Sequence, residues 1–192
     1  LLDNEKKLLN VINIIKSYYS LDFEIVVVVS ALYGITDKIS TLCDEIKQIN
    51  RNSLNLFLEK IENVHINLVE KVIQDKKDKE NLLQLLKDLL NEFRDVLLGI
   101  SILKDVTPKS RDYLFSFGER LSTPIVSFAL KSIGINSVFL NGKEVGILTD
   151  SKFGEAKPLL NTTKLRVHHK IEPLLKEKII ALVTGFIGFD QN

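Results

Sequence analysis

The side chains with chemical capability fall in three short segments of this 192-residue sequence. The first is Val29-Ser30-Ala31, followed by Gly34-Ile35-Thr36. Gly34 permits a tight backbone turn with an unusual dihedral. Thr36 falls where a helix begins, and backbone N–H groups left free there favour an anion. The plainer reading makes Thr36 a helix cap and Ser30 a turn former, and the residues alone leave both readings open. The second segment is Phe117-Gly118-Glu119-Arg120-Leu121-Ser122. Leu114, Phe117, Leu121, Ile125 and Phe128 recur at helical spacing and form one apolar face. Glu119 lies on the opposite side beside Phe115, Ser122 and Val126, which do not make a solvated face. A carboxylate there is either paired within the chain or available to a cationic ligand, because a lone buried charge is costly. Pro124 cannot donate to the carbonyl of Arg120, so a break or kink is expected near Glu119. The third segment is Val183-Thr184-Gly185-Phe186-Ile187-Gly188, which directly follows a β-rich run.

Other candidates carry less. His168 and His169 are adjacent, so they point in different directions and do not suit one metal ion. No metal site is expected. Cys43 sits on an apolar helix face and reads as core. Asp150 reads as an exposed turn residue, and Tyr18-Tyr19 as packing residues.

These segments need elements to position them. Residues 5–19 have helical spacing, with Asp3 or Asn4 as a cap. Phe23 to Val29 is a β-branched run of the kind buried on both faces of a parallel sheet. A helix over 37–49 follows. Residues 53–104 hold two long helical patterns linked near Lys76 to Lys79, which predicts an antiparallel helix pair used for packing. Thr107-Pro108 looks like a cap with proline at the first helical position, and that helix runs to about Ser132 and ends at Gly134. A strand is expected over Ile135 to Leu140. Asn141-Gly142 is a hairpin signal, with Val145 to Thr149 returning antiparallel. A loop over 150–163, a helix near 170–177 and a strand from Lys178 to Thr184 complete the pattern. Helices alternating with buried strands imply an α/β fold with a mostly parallel sheet between helices. Ligands in such folds sit beyond the carboxyl ends of the strands, where Ser30 and Gly185-Phe186 fall.

Composition agrees with a packed protein. The chain is 45% hydrophobic and 27% charged, with a formal net charge of +1. That balance gives no reason to expect nucleic acid. One cysteine excludes an internal disulfide framework. No apolar run reaches the roughly 18 residues of a membrane span, and no signal-peptide pattern stands at the front. There is no methionine, and the chain opens directly on Leu1-Leu2-Asp3, which leads us to expect a fragment of a longer protein.

Taken together, the three segments resemble the aspartate kinase family of the amino-acid kinase fold. The resemblance extends through Thr107-Pro108-Lys109-Ser110-Arg111-Asp112-Tyr113. It also takes in Gly146-Ile147-Leu148-Thr149-Asp150-Ser151-Lys152-Phe153-Gly154-Glu155-Ala156, in the family's order. It implies a three-layer αβα sandwich, incomplete in this chain. Residues 1–192 would be one partial domain, the amino-acid-binding lobe, with a helical hairpin at about 53–104. It implies ATP-dependent phosphorylation of the β-carboxylate of L-aspartate, the step that opens the route to lysine, threonine and methionine. Glu119 would bind the substrate's α-ammonium. Thr36 would hold the substrate, with Ser30 where substrate meets phosphate, and Phe186 would line the pocket. Ala31, Gly34 and Gly185 would form the surrounding loops.

The family's phosphate-binding lysine strand would precede Leu1, and its Gly-Arg-Gly-Gly-Ser-Asp segment would follow Asn192. No catalytic residue is therefore expected within residues 1–192. The chain alone would be inactive, and it would not hold ATP and Mg2+ tightly. The resemblance further implies a cytoplasmic homodimer with no nucleic-acid or membrane partner. Two other readings are a glutamate- or carbamate-kinase relative and a non-catalytic interaction module built on the helices at 53–104.

Overall fold

A computed structural model describes residues 5–190. Seven helices and three strands alternate along them: α1 Glu5–Ser20, β1 Val26–Val29, α2 Ile35–Glu45, α3 Arg51–Val72, α4 Lys76–Leu103, α5 Pro108–Lys131, β2 Ser137–Leu140, α6 Gly142–Val145, α7 Leu160–Lys176 and β3 Ile180–Thr184. The sheet is entirely parallel with order β1-β3-β2, so the last strand in sequence is the central one. The fold is therefore α/β, with helices on both sides of a parallel sheet. The expected caps Asp3 and Asn4 lie outside the described residues.

Strand alternation separates two apolar clusters. Ile180 and Leu182 of β3 face the large core, which includes Leu114, Phe117 and Leu121 of α5. Ala181 and Val183 face a smaller cluster with Leu140, Val145 and Ile171, under α6 and α7. Period-2 geometry forces this split. Val26 pairs with Ala181 and Val28 with Val183, so both valines share the α7 side. That side is uncovered over β1: Val26 is 45% and Val28 68% exposed. The expectation that this strand is buried on both faces is thus corrected. A run of four valines signals a sheet strand, but an edge strand beyond the reach of α7 buries only one face.

Helix α5 is the centre of the packing. Twelve of its residues are buried, on every side of the helix. Thr107 caps it by accepting from the Ser110 N–H at 3.1 Å, and Pro108 occupies the first turn, as the sequence predicts. Of the break or kink expected, the break is absent: the helix runs through Pro124. The Glu119 carbonyl accepts from the Thr123 hydroxyl at 2.7 Å and from that of Ser122 at 3.3 Å, and packing on all sides outweighs the one donor that proline lacks. Buried Ser127 and Ser137 join α5 to β2 at 3.0 Å.

Helices α3 and α4 form the antiparallel pair expected for 53–104. Phe57 meets Phe93 at one end, and Glu70 pairs with Lys79 at the other. The link is Ile73–Asp75 rather than Lys76 to Lys79. Asp75 caps α4 through the Asp78 N–H at 2.8 Å, so the charged run forms the first turn of the helix. Asn141-Gly142 is not a hairpin either. Asn141 caps α6 by accepting from the Lys143 and Glu144 N–H groups, and its own N–H donates to Glu144 in a capping box. The glycine serves a close approach, since a Cβ on residue 142 would lie 1.9 Å from the Ile187 carbonyl oxygen. Residues 145–149 do not return beside β2; Leu148 bridges parallel to Phe189 instead. The last helix starts at Leu160, well before the predicted 170, so the loop over 150–163 is shorter than expected. No helix among the described residues is long and apolar enough to cross a membrane.

One buried polar residue sets the acid stability. His65 of α3 is fully buried; its Nδ1–H donates to the Ile61 carbonyl at 2.7 Å, and Nε2 has no partner among the described residues. Burial lowers its pKa from 6.5 to about 4, with the charge of Lys38 adding to the effect and the Ile61 bond opposing it. The unfolded chain therefore takes up a proton that the folded chain refuses. Stability should fall as pH drops from 6.5 to about 4, by about 3 kcal/mol over that window. Denaturant unfolding at stepped pH checks this, and His65→Leu should remove that part of the slope.

Candidate active site

The carboxyl ends of β1 and β3 meet the middle of α5. After Val29 the chain turns into α2 through Ser30–Gly34. The Ile35 N–H donates to the Leu32 carbonyl at 3.0 Å, and Gly34 holds φ 74° and ψ 0°. Those dihedrals are the ones the third position of a type II turn requires, and glycine adopts them without strain. Gly34 is also the cap of α2, so Thr36 lies in the first helical turn rather than at the cap, with its side chain exposed.

Glu119 reaches this turn from α5. Its Oε1 accepts the Ala31 N–H at 3.1 Å. Ser122, one turn further on, donates its hydroxyl to the Ser30 carbonyl at 2.8 Å. Gly118 allows the approach: a Cβ there would lie 2.7 Å from the Ala31 Cβ and 3.8 Å from Thr36 Oγ1. The motif alone assigns Gly118 no such part, although glycine inside a helix is a signal, being unfavourable unless something must come close.

Burial raises the pKa of Glu119, and the Ala31 N–H offsets that only in part. Among the described residues no lysine, arginine or histidine forms an ion pair with it. The internal ion pair that the sequence left open is therefore not formed. Arg120 turns to Glu92 on α4 instead. Glu119 is a half-buried carboxylate met only by backbone N–H groups, those of Ala31 and of its own residue, a group that a cationic ligand would complete.

From the other side, Gly185 donates its N–H to the Val29 carbonyl at 2.8 Å, joining the end of β3 to the turn. Thr184, in register with Val29, buries a hydroxyl that has no partner among the described residues. Phe186 follows with φ 55°, a strained value for an aromatic residue, and its side chain is wholly exposed. The loop that carries it is fastened. The Phe189 N–H donates to the Ile147 carbonyl at 3.0 Å, and the Thr149 N–H to the Phe189 carbonyl at 2.8 Å. Ser30, Ala31, Gly34, Thr36, Glu119 and Gly185 are thus brought together around the β1–α2 turn, and Phe186 follows Gly185 with its side chain exposed.

The remaining candidates stay apart from it. Cys43 is buried in the core with its pKa raised by burial. Asp150 is held low by the N–H groups of Lys157 and Lys152 within its own loop. His168 pairs with Glu172 at 3.1 Å. No group of three or more histidine, cysteine, aspartate or glutamate side chains able to hold a metal occurs among the described residues. The residues around the turn offer hydroxyls, backbone N–H groups and the Glu119 carboxylate. A carboxylate without a paired cation can accept a cationic group such as an ammonium. The set lacks the cations that the charge of a nucleotide triphosphate calls for.

The family model described as "Amino acid kinase family" matches residues 1–192. The chain belongs to that family. Aspartokinase 3, chloroplastic, of Arabidopsis thaliana is 36% identical over 100 residues, 52% of this chain and 18% of that protein. The aspartokinase of Corynebacterium efficiens is 27% identical over 137 residues, 70% of this chain and 31% of that protein. The crystal structure of E. coli aspartokinase III with lysine and aspartate superposes with a TM-score of 0.76 at 22% identity. It covers 86% of this chain and 35% of that one. A second structure of that enzyme, with aspartate and ADP, gives 0.74. At that identity the likeness shows the fold. The chain spans less than a third of the length of the curated relatives named here.

The close approach at Gly118 is testable. Gly118→Ala should push the β1–α2 turn off α5 and destabilise the protein by about 1–3 kcal/mol, the usual cost of overpacking. Ala31→Gly in the same chain should recover most of that loss. Thermal unfolding of the two single variants and the double variant measures both.

Proposed function

We propose that this chain is the amino-acid-binding part of an aspartate kinase. The longer protein would transfer the γ-phosphoryl group of ATP, with Mg2+, to the β-carboxylate of L-aspartate, giving 4-phospho-L-aspartate. This would open the route to lysine, threonine and methionine, and a cytoplasmic homodimer belongs to the same reading. The observation that carries it is Glu119, a partly buried carboxylate beside the β1–α2 turn with no cation of its own. Aspartate is held in the E. coli aspartokinase III structures whose fold this chain shares.

In this reading Glu119 takes the α-ammonium of aspartate and fixes which end of the substrate faces inward. Thr36 hydrogen-bonds the substrate from the first turn of α2. Ser30 stands where the acceptor carboxylate meets the phosphoryl group. Phe186 becomes the wall that closes over the bound amino acid and excludes water. The residues of this chain then contribute placement and charge complementarity, which is what phosphoryl transfer to a ready-made carboxylate nucleophile requires. The cations that neutralise the phosphates are supplied from outside this group of residues.

The experiment is a coupled ADP-release assay on the full-length protein with aspartate, glutamate and carbamate as acceptors. Turnover with aspartate alone is expected, and absence of aspartate-dependent turnover refutes the reading. Glu119→Gln should weaken apparent aspartate affinity about 10–100-fold, as expected for loss of a charge-assisted bond. The same change should raise the melting temperature at pH 7. Burial raises the folded-state pKa of Glu119, so its ionisation opposes folding above the ordinary glutamate range, and the neutral amide removes that penalty.

A further inference from the structure

Glu119 and Arg120 are consecutive on α5, so their side chains leave the helix about 100° apart. The first reaches the β1–α2 turn and the second reaches α4. Arg120 donates Nη1–H to Glu92 Oε1 at 3.0 Å and Nη2–H to Glu92 Oε2 at 2.6 Å, a two-point fork. Its guanidinium lies 4.4 Å from the centroid of Phe117 and 5.7 Å from that of Tyr113. The Tyr113 hydroxyl donates to the same carboxylate in a short contact. Tyr113 and Arg120 are seven residues apart, hence on one face of α5, and Glu92 bridges them. Phe93, the neighbour of Glu92, packs on Phe117 at 4.8 Å between centroids. Burial would raise the pKa of Glu92, but the hydrogen bonds from Arg120 and Tyr113 outweigh it and hold the carboxylate ionised.

Gly118 against Ala31, Ser122 on the Ser30 carbonyl and Ser127 on Ser137 hold other faces of α5. The planar two-point pair adds a directional restraint on the α4 side, because both of its hydrogen bonds are disturbed together when the helix turns. The geometry points to Arg120 as a positioning residue for the amino-acid site: its fork on Glu92 fixes the rotation of α5 and so sets where the Glu119 carboxylate stands. The helical pair α3–α4 then acts on the substrate end of the site without touching substrate. This inference rests on the reading of Glu119 as the ammonium partner.

The test uses the full-length protein with Arg120→Gln, Arg120→Lys, Glu92→Gln and the double variant Arg120→Gln/Glu92→Gln. Two readouts are taken: steady-state constants for aspartate and ATP, and the amide resonance of Ala31 in protein labelled with 15N-alanine. Arg120→Gln should raise KM for aspartate about tenfold, with kcat and KM for ATP within about twofold. Glu92→Gln should do the same, and the double variant should be no worse than either single one. Arg120→Lys should recover part of the loss, since it keeps the charge but not the fork. The Ala31 resonance should shift in both glutamine variants.

An aspartate KM equal to that of the parent protein in folded Arg120→Gln overturns the proposal. So does a parallel loss of kcat and both affinities that tracks the melting temperature. If the parent protein does not turn over aspartate, the functional reading fails by itself and the Ala31 resonance decides: unmoved in Arg120→Gln, it refutes the brace, and moved, it supports it. If Arg120→Gln does not fold, the near-isosteric Glu92→Gln carries the same comparison.

Discussion

Between Leu114 and Leu130 helix α5 has no exposed residue, and the other layers are arranged around it. The sheet lies on one side, α3 and α4 on another, and the β1–α2 turn closes over its middle. A helix in that position cannot move toward water when something is wrong with it. Each of its non-apolar positions therefore has a specific partner or a specific reason for being small. Ser127 meets Ser137 of β2, Ser122 meets the Ser30 carbonyl, and Gly118 makes room for Ala31. Pro124 is tolerated for the same reason, because a helix held on all sides loses little when one of its own bonds is missing.

Within that frame Glu119 is an exception. Every other polar group of α5 named above satisfies a neighbour, whereas Glu119 takes only backbone N–H groups and otherwise keeps an unanswered charge. Such a group lowers stability for as long as it is ionised, and the surrounding structure holds it in place all the same. Phe186 shows the same pattern in backbone terms: a strained dihedral and an exposed aromatic ring, kept there by hydrogen bonds on either side of it. Strain and unmet electrostatic demand both lie at the carboxyl ends of parallel strands, where ligands of α/β folds bind.

Much of this was legible in the residues. The helices at 5–19 and 53–104, the Thr107-Pro108 start and the alternation of strands with helices all follow from local periodicity and capping, which act over a few residues. The gathering of Ser30, Thr36 and Glu119 came from motif order. What local pattern could not give was decided by tertiary contact. A valine run does not say whether a helix lies over its second face, and over β1 none does. Asn141-Gly142 suits a hairpin in isolation, but the Ile187 carbonyl lies where only glycine fits, and the asparagine caps a helix. The residues left open a partner for Glu119 within the chain; its neighbour Arg120 cannot be one, because adjacent residues on a helix diverge, and it reaches α4 instead.

The strand order has a consequence for how the chain assembles. Of the three described strands the central one comes last in the sequence, and Val26 finds its partner Ala181 roughly 150 residues later. Before β3 arrives, β1 and β2 have no neighbour in common among the described strands. The earlier helices can pack on α5 first, but the gap between β1 and β2 stays open, lined by unpaired backbone groups, until Thr184 has been made. That interval is when the chain is most exposed to pairing with a strand of another molecule, and when a chaperone would be of most use to it.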